Sequence, residues 1–253
     1  MGEIVEDLDT VGGRLEAVSF RAVNLPEHAR NPIHTDEGAQ AAGFPNALVA
    51  GVSVYAYMAH VPVVGWGGSW LSSGGAQVRF RSPVFDGDDL DCVPVGAGNA
   101  WRVDAVVGGQ VRATSDVWAD ATHDPSGPLR RRTGERLEPL EVKLDREWID
   151  LAVRLGDPLD IYDRDGVVHP AAWPSIANTV MHTQVVEGAW IHTRSRIHHR
   201  SIAHEGEQLV VQGTVFERFD SRVGERAVVD FVMSVGDRVV VEIEHEAIVK
   251  VFD

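Results

Sequence analysis

Two kinds of hydrophobic pattern alternate along this chain, and the alternation occurs twice. Residues 44–61, FPNALVAGVSVYAYMAHV, are apolar on nearly every side, which predicts a helix enclosed all round. Pro62 is expected to stop it. Four segments with period-two alternation follow: AQVRFRSPVF, DLDCVPVGAG, AWRVDAVVGG and QVRATSDVWAD. Gly and Asp turns separate them, so they read as antiparallel strands.

The second half follows the same plan. Residues 169–184, HPAAWPSIANTVMHTQ, form the helix-like segment, and WIHTRSRIHHRSIA, EQLVVQGTVFERF, RAVVDFVMSVGD and RVVVEIEHEAIVKV form the strands. FPNA at Phe44 lines up with HPAA at His169, and VRFRSPVFDGDDL with TRSRIHHRSIAHEGEQL. A repeat of this length points to duplication of a whole domain. The expected boundaries are 1–122 for the first unit, 123–140 for a polar, Pro- and Gly-containing linker, and 141–253 for the second unit. A helix wrapped by a curved antiparallel sheet, made twice, is the α+β double hotdog arrangement. Pairing the two halves edge to edge removes the open edge that a lone copy would carry.

Composition narrows the partners. With 38 acidic against 23 basic residues, the net charge of −15 argues against nucleic acid or an anionic membrane surface as the main partner. The lone Cys92 rules out an internal disulfide and a cysteine zinc site. No apolar run is long enough to span a bilayer, and the acidic start, MGEIVEDLDTVGG, lacks the pattern of a signal peptide. A cytoplasmic location is the expectation.

The chemistry-bearing stretch is RNPIHTDEGAQAAGFPNALVAGVSV, residues 30–54. It resembles the signature of the MaoC-like dehydratases and (R)-specific enoyl-CoA hydratases, in which Gly-Asp-x-Asn-Pro-x-His-x-Asp is followed by Ala, Gly-Phe and a helix-opening Gly. Asn31, Pro32, His34, Asp36, Ala39, Gly43, Phe44 and Gly51 fit that pattern, and VRFRSPVFDGDDL resembles the strand after the helix. The resemblance implies an acid/base site that adds water across a 2-enoyl thioester, with His34 as a catalytic group and the Gly51 N–H holding the thioester oxygen. Asn31 and Pro32 would shape the loop presenting His34, and Asp36 would cap or brace the next segment.

The sequence departs from the signature in three places. Ala29 stands where the Asp is expected, His28 where Gly is expected, and Ala50 where a His precedes the helix. Glu27 and His28 are the candidate substitutes for the missing carboxylate. In an extended loop Glu27, not His28, would share the face of Ala29.

Other residues carry two readings each. The loop with Trp66 and Trp70 is either a lid over an apolar acyl tunnel or core filling. Arg79, Arg81, Arg194 and Arg196, with Arg200, either hold the phosphates of coenzyme A or form a salt-bridged strand face. Arg130, Arg131 and Arg132 share that ambiguity. Asp157, Asp160, Asp163, Asp165 and His169 read as a turn-forming loop, with a displaced acid/base site as the alternative. His192, His198, His199 and His204 lack metal-ligand spacing, so no metal site is expected. No cofactor is implied beyond the coenzyme A of a substrate.

The expected activity is therefore hydration of an enoyl thioester, or the reverse dehydration of a 3-hydroxyacyl thioester, on coenzyme A or an acyl carrier. A non-catalytic acyl-CoA binding module and a thioesterase on the same fold are the alternatives. A homodimer of double hotdogs is compatible with either.

Overall fold

The computed structural model describes residues 14–129 and 132–252. The acidic segment 1–13 and the linker residues Arg130 and Arg131 lie outside the described residues. Eleven strands form one sheet: β1 (Val18–Arg21), β2 (Gly75–Phe80), β3 (Asp89–Ala97), β4 (Ala100–Val107), β5 (Gln110–Trp118), β6 (Glu135–Arg136), β7 (Leu140–Lys143), β8 (Ile191–His199), β9 (Gln208–Ser221), β10 (Gly224–Val235) and β11 (Arg238–Val251). Their order is β1-β3-β4-β5-β2-β8-β11-β10-β9-β6, with β7 also on β9. The helices are α1 (Asp36–Ala41), α2 (Gly51–Ser73), α3 (Arg146–Ile149), α4 (Leu151–Arg154), α5 (Ile161–Asp165) and α6 (Ala172–Gln184). The long strands and α6 fall where the alternation and the apolar run predict them. The four-residue β1 and the short helices α3 to α5 are too brief to leave a periodic signal.

Antiparallel pairing of β2 with β8 fuses the halves, from Gly75 opposite His198 to Arg79 opposite Arg194. A Cβ on Gly75 would lie 2.5 Å from the Ile197 carbonyl oxygen and from the Trp118 ring, so only glycine allows this close approach. The repeat register can be read from the backbone. The isolated bridge Leu48↔Phe85 recurs as Val167↔His204, 119 residues later at both ends. The Val49 N–H bonds the Val84 carbonyl as the Val168 N–H bonds that of Ala203. Asp88 accepts from the Phe85 N–H as Glu207 accepts from that of His204. Gln77 pairs with Arg196, its own repeat mate, so a pseudo-twofold passes between them.

This register corrects the alignment of FPNA with HPAA. Gly51 corresponds to Pro170 and Ala50 to His169.

Helix α2 also corrects an expectation, because it runs through Pro62 to Ser73, with a break at Gly67 (φ 55°). Proline normally disrupts a helix interior. Here the segment beyond it stays helical because Trp66 and Trp70, one turn apart, are both fully buried. These tryptophans fill the core and do not form a loop over a tunnel. Trp70 packs edge-on against His199 of β8, with centroids 4.8 Å apart.

The connecting segment is fastened to the outer face of the sheet. The buried Asp124 carboxylate pairs with Arg196 at 2.6 Å and lies 3.2 Å from His198 Nε2. Arg132 pairs with Asp230 and Glu244, and β6 and β7 both hydrogen-bond to β9. Arg194 lies between Glu244 and Glu246, and Arg200 on Glu242. The strand arginines of the second half are thus a salt-bridged face.

Candidate active site

A cavity of about 300 Å³ lies where the two halves meet, bounded by the loop before α1, the start of α2, the end of β2, helix α6 and the start of β8. His28, Asn31 and His34 enter from the loop, and Gly51 from α2. Asn178 and His182 enter from the other half.

The loop is two short 3-10 turns, Pro26–Arg30 and Pro32–His34, each opened by proline. The turn removes the extended geometry on which Glu27 was preferred over His28. His28 faces the cavity, and its Nε2 lies 3.2 Å from Ser53 Oγ. Glu27 does not line the cavity but pairs with Arg154 at 2.5 Å beside a neighbouring pocket. Burial works to raise the Glu27 pKa, and the Arg154 hydrogen bond and charge outweigh it, holding the carboxylate low. Ala29 is exposed and absent from the lining. Among the described residues no carboxylate lines the cavity.

His34 is held firmly. Its Nδ1 is 2.8 Å from the Leu48 carbonyl, which can only accept, so the proton sits on Nδ1 and Nε2 carries the lone pair. Leu48 closes the clamp by donating its N–H to the Ile33 carbonyl, and Asn24 Nδ2 donates to the carbonyl of His34 itself. Asp36 braces the loop by accepting from the Ala47 N–H at 2.8 Å, while Thr35, not Asp36, caps α1. Burial lowers the pKa of His34 below 6.5, partly countered by the Leu48 bond. Burial, with repulsion from His34, pushes His28 down to about 4. The two rings are 5.8 Å apart, and both are neutral bases at pH 7.

Gly51 is the first residue of α2, so its N–H is among those a helix leaves without an internal partner. A Cβ there would sit 3.1 Å from the Phe80 ring, which lines the same cavity. Of the remaining sequence candidates, Arg81 reaches the rim, whereas Arg79, Arg194, Arg196, Trp66 and Trp70 do not line the cavity. Asn31 is buried, and its Nδ2 donates to the Trp190 carbonyl of the second half.

The pattern reading missed Asn178 and His182. Their i, i+4 spacing within ANTVMHTQ places two polar side chains on one helix face, a signal available in the sequence. Among the described residues no cluster of metal-ligating type is present, and no helix is long and apolar enough to cross a membrane.

The same architecture recurs in solved structures. A conserved hypothetical protein of Mycobacterium tuberculosis with a double hotdog fold covers 96% of this chain and 100% of its own at TM-score 0.63 and 12% identity. A MaoC-like dehydratase covers 96% and 99% at TM-score 0.62 and 16% identity. An acyl-ACP thioesterase from Bacteroides thetaiotaomicron covers 92% and 97% at TM-score 0.53 and 10% identity. At such identities the likeness establishes the fold, and the chain is a double hotdog protein. Residues 16–118 match the MaoC like domain family, so the first half is a MaoC-like domain. No curated protein matches the sequence.

Proposed function

We propose that this protein hydrates an enoyl thioester, or dehydrates the corresponding 3-hydroxyacyl thioester, at the cavity around His34 and Gly51. The observation that carries this reading is the fixed tautomer of His34, whose Nδ1 is committed to Leu48 beside an unpartnered helix N-terminus. His34 Nε2 takes a proton from water as the water oxygen bonds C3 of the substrate. The electron pair moves through C2 to the thioester oxygen, which the Gly51 N–H and the helix dipole stabilise. The proton then passes from His34 to C2 as the enolate collapses. His28 assists by holding the water. Coenzyme A or an acyl carrier would supply the thiol portion, and dehydratases among the fold relatives are consistent with this class.

Thioester hydrolysis is the second reading, favoured by the thioesterase among the fold relatives and by a cavity that presents imidazoles without a carboxylate. Assays with crotonyl-CoA and hex-2-enoyl-CoA separate the two. Hydration removes the enoyl absorbance and releases no thiol, whereas hydrolysis yields thiol detectable with a thiol reagent. Thiol release without hydration would overturn the hydratase reading. Micromolar thioester binding with neither product would assign a binding module.

A further inference from the structure

The wall that α6 contributes to the cavity is polar in a way that the water-addition chemistry does not use. Asn178 and His182 stand one turn apart on α6, and neither side chain makes a hydrogen bond among the described residues. Asn178 Oδ1 and His182 Nδ1 are buried without a partner, and Asn31 Oδ1 and Trp190 Nε1 are in the same condition beside them. The Asn31 amide is oriented by its donation to the Trp190 carbonyl, which fixes Oδ1 as the idle acceptor. His192, which also lines the cavity, leaves its Nδ1 without a partner too. Idle buried polar groups are costly, and clustering of five around one cavity marks a place where a ligand supplies the partners.

Asn178 and His182 enter this cavity from α6 in the second half, whereas His34 and Gly51 enter it from the first. Phe80 borders the same space, its ring against Gly51 and edge-on to His192 at 4.8 Å. A thioester carbonyl bound at Gly51 can therefore extend its acyl chain towards the wall that α6 supplies. The idle groups include acceptors (Asn31 Oδ1, Asn178 Oδ1) and a donor (Trp190 Nε1), and burial keeps Trp190 and Asn31 away from water. Their natural complement is neutral and both donates and accepts. An anion would meet two carbonyl-type oxygens.

We propose that the preferred substrate carries a hydroxyl on its acyl chain beyond C3, held by Asn178 and His182. This rests on the thioester reading of the site, and it names the substrate class.

The test is calorimetric and needs no turnover. Affinities are compared for hexanoyl-CoA, its 4-, 5- and 6-hydroxy derivatives, and adipoyl-CoA as the anionic counterpart. The expected result is that at least one hydroxy derivative binds about tenfold tighter than hexanoyl-CoA, or more. Asn178→Leu combined with His182→Phe should remove that preference, and His34→Ala should leave it intact. Equal or tighter binding of hexanoyl-CoA, a preference for adipoyl-CoA, or a preference that survives the double variant would overturn the proposal. If that variant does not fold, the ligand series with the unmodified protein still decides. Failure of the hydratase reading has a different signature: the binding preference persists while no enoyl-CoA is hydrated.

Discussion

Leu48 to Gly51 and Val167 to Pro170 occupy the same place in the two halves; the first borders the open cavity, whereas the second is buried throughout. In the first half the helix-opening residue is Gly51, with a free N–H and no side chain. Its mate Pro170 has no N–H to offer. No insertion separates the two helix-to-strand stretches, so the remaining walls can be matched as well. Asn178 and His182, which line the open cavity, correspond to Ala59 and Val63, both buried. Phe80 corresponds to His199, which is covered by Trp70.

At the mate position the corresponding residues are buried side chains. Beside it, the buried His60 Nδ1 and Asp157 Oδ1 pair at 2.9 Å across the two halves, and His169 turns its Nδ1 to the Ala171 N–H. The first helix start carries the candidate chemistry, and its mate in the second half carries packing. The same backbone frame thus holds an open cavity at one helix start and buried side chains at the other, the two differing in side-chain size and hydrogen-bonding capacity.

The comparison can be broken most directly at the two histidines. His34→Ala should reduce thioester turnover by roughly 10²–10⁴-fold, the range of a lost acid/base group. His169→Ala should leave kcat/KM per folded molecule within a few-fold of the unmodified protein, because that residue is sealed from solvent. Equal losses in the two variants would show that the helix start around His169 participates.

Stability should respond in the opposite sense. Asp157→Ala leaves His60 buried without its partner and should cost about 3–5 kcal/mol in denaturant unfolding, as one-sided removal of a buried pair does. Glu27→Ala, which breaks a partly exposed pair with Arg154, should cost about 1 kcal/mol or less.

Transplanting the second half's residue is a sharper test. Gly51→Pro keeps a residue suited to the first helical position but deletes the N–H, and kcat should fall about 10²–10³-fold, as for loss of one oxyanion donor. Gly51→Ala keeps the N–H while crowding Phe80, and it separates sterics from hydrogen bonding. If the alanine variant loses as much as the proline variant, the N–H is not the operative group.

The smallest effects are in pH. Seven histidines have pKa values lowered by burial: His28, His169 and His198 to about 4, His192 and His199 to about 3, and His34 and His245 also below 6.5. Below pH 6.5 the unfolded chain binds protons at these sites that the folded chain refuses, so stability falls with pH from about 6.5 towards 3–4. Urea midpoints across that interval should show the decline, with net proton uptake on unfolding. Since His34 stays neutral below its ordinary range, the acid limb of kcat/KM should lie below pH 6.5. An acid limb above 6.5 would assign the essential base elsewhere.

The frame was legible because its signals are strong. Period-two alternation marks all eight long strands, and an all-round apolar run marks α2. The loop signature singles out His34 and Gly51, which line one cavity. What stayed hidden depends on contacts between distant segments. Pro62 and the five glycines of GWGGSWLSSGG suggested that the helix ends early, but burial of Trp66 and Trp70 holds the segment helical. Two prolines wind residues 26–34 into tight turns, which exchanges the places expected for Glu27 and His28. Arg196 reads as an available guanidinium until Asp124, 72 positions earlier, is found against it. The second-half wall of the cavity follows from sheet fusion, which no local pattern encodes.

That fusion, through Gly75 and its neighbours on β2 and β8, changes what a single mutation can do. In a pair of identical subunits every codon change is expressed at both symmetry-related positions, so a tryptophan that closes one cleft closes its twin. Here each codon is expressed once. The chain can therefore commit one cleft to packing and keep the other available for new ligands, and the two can diverge independently within a shared scaffold.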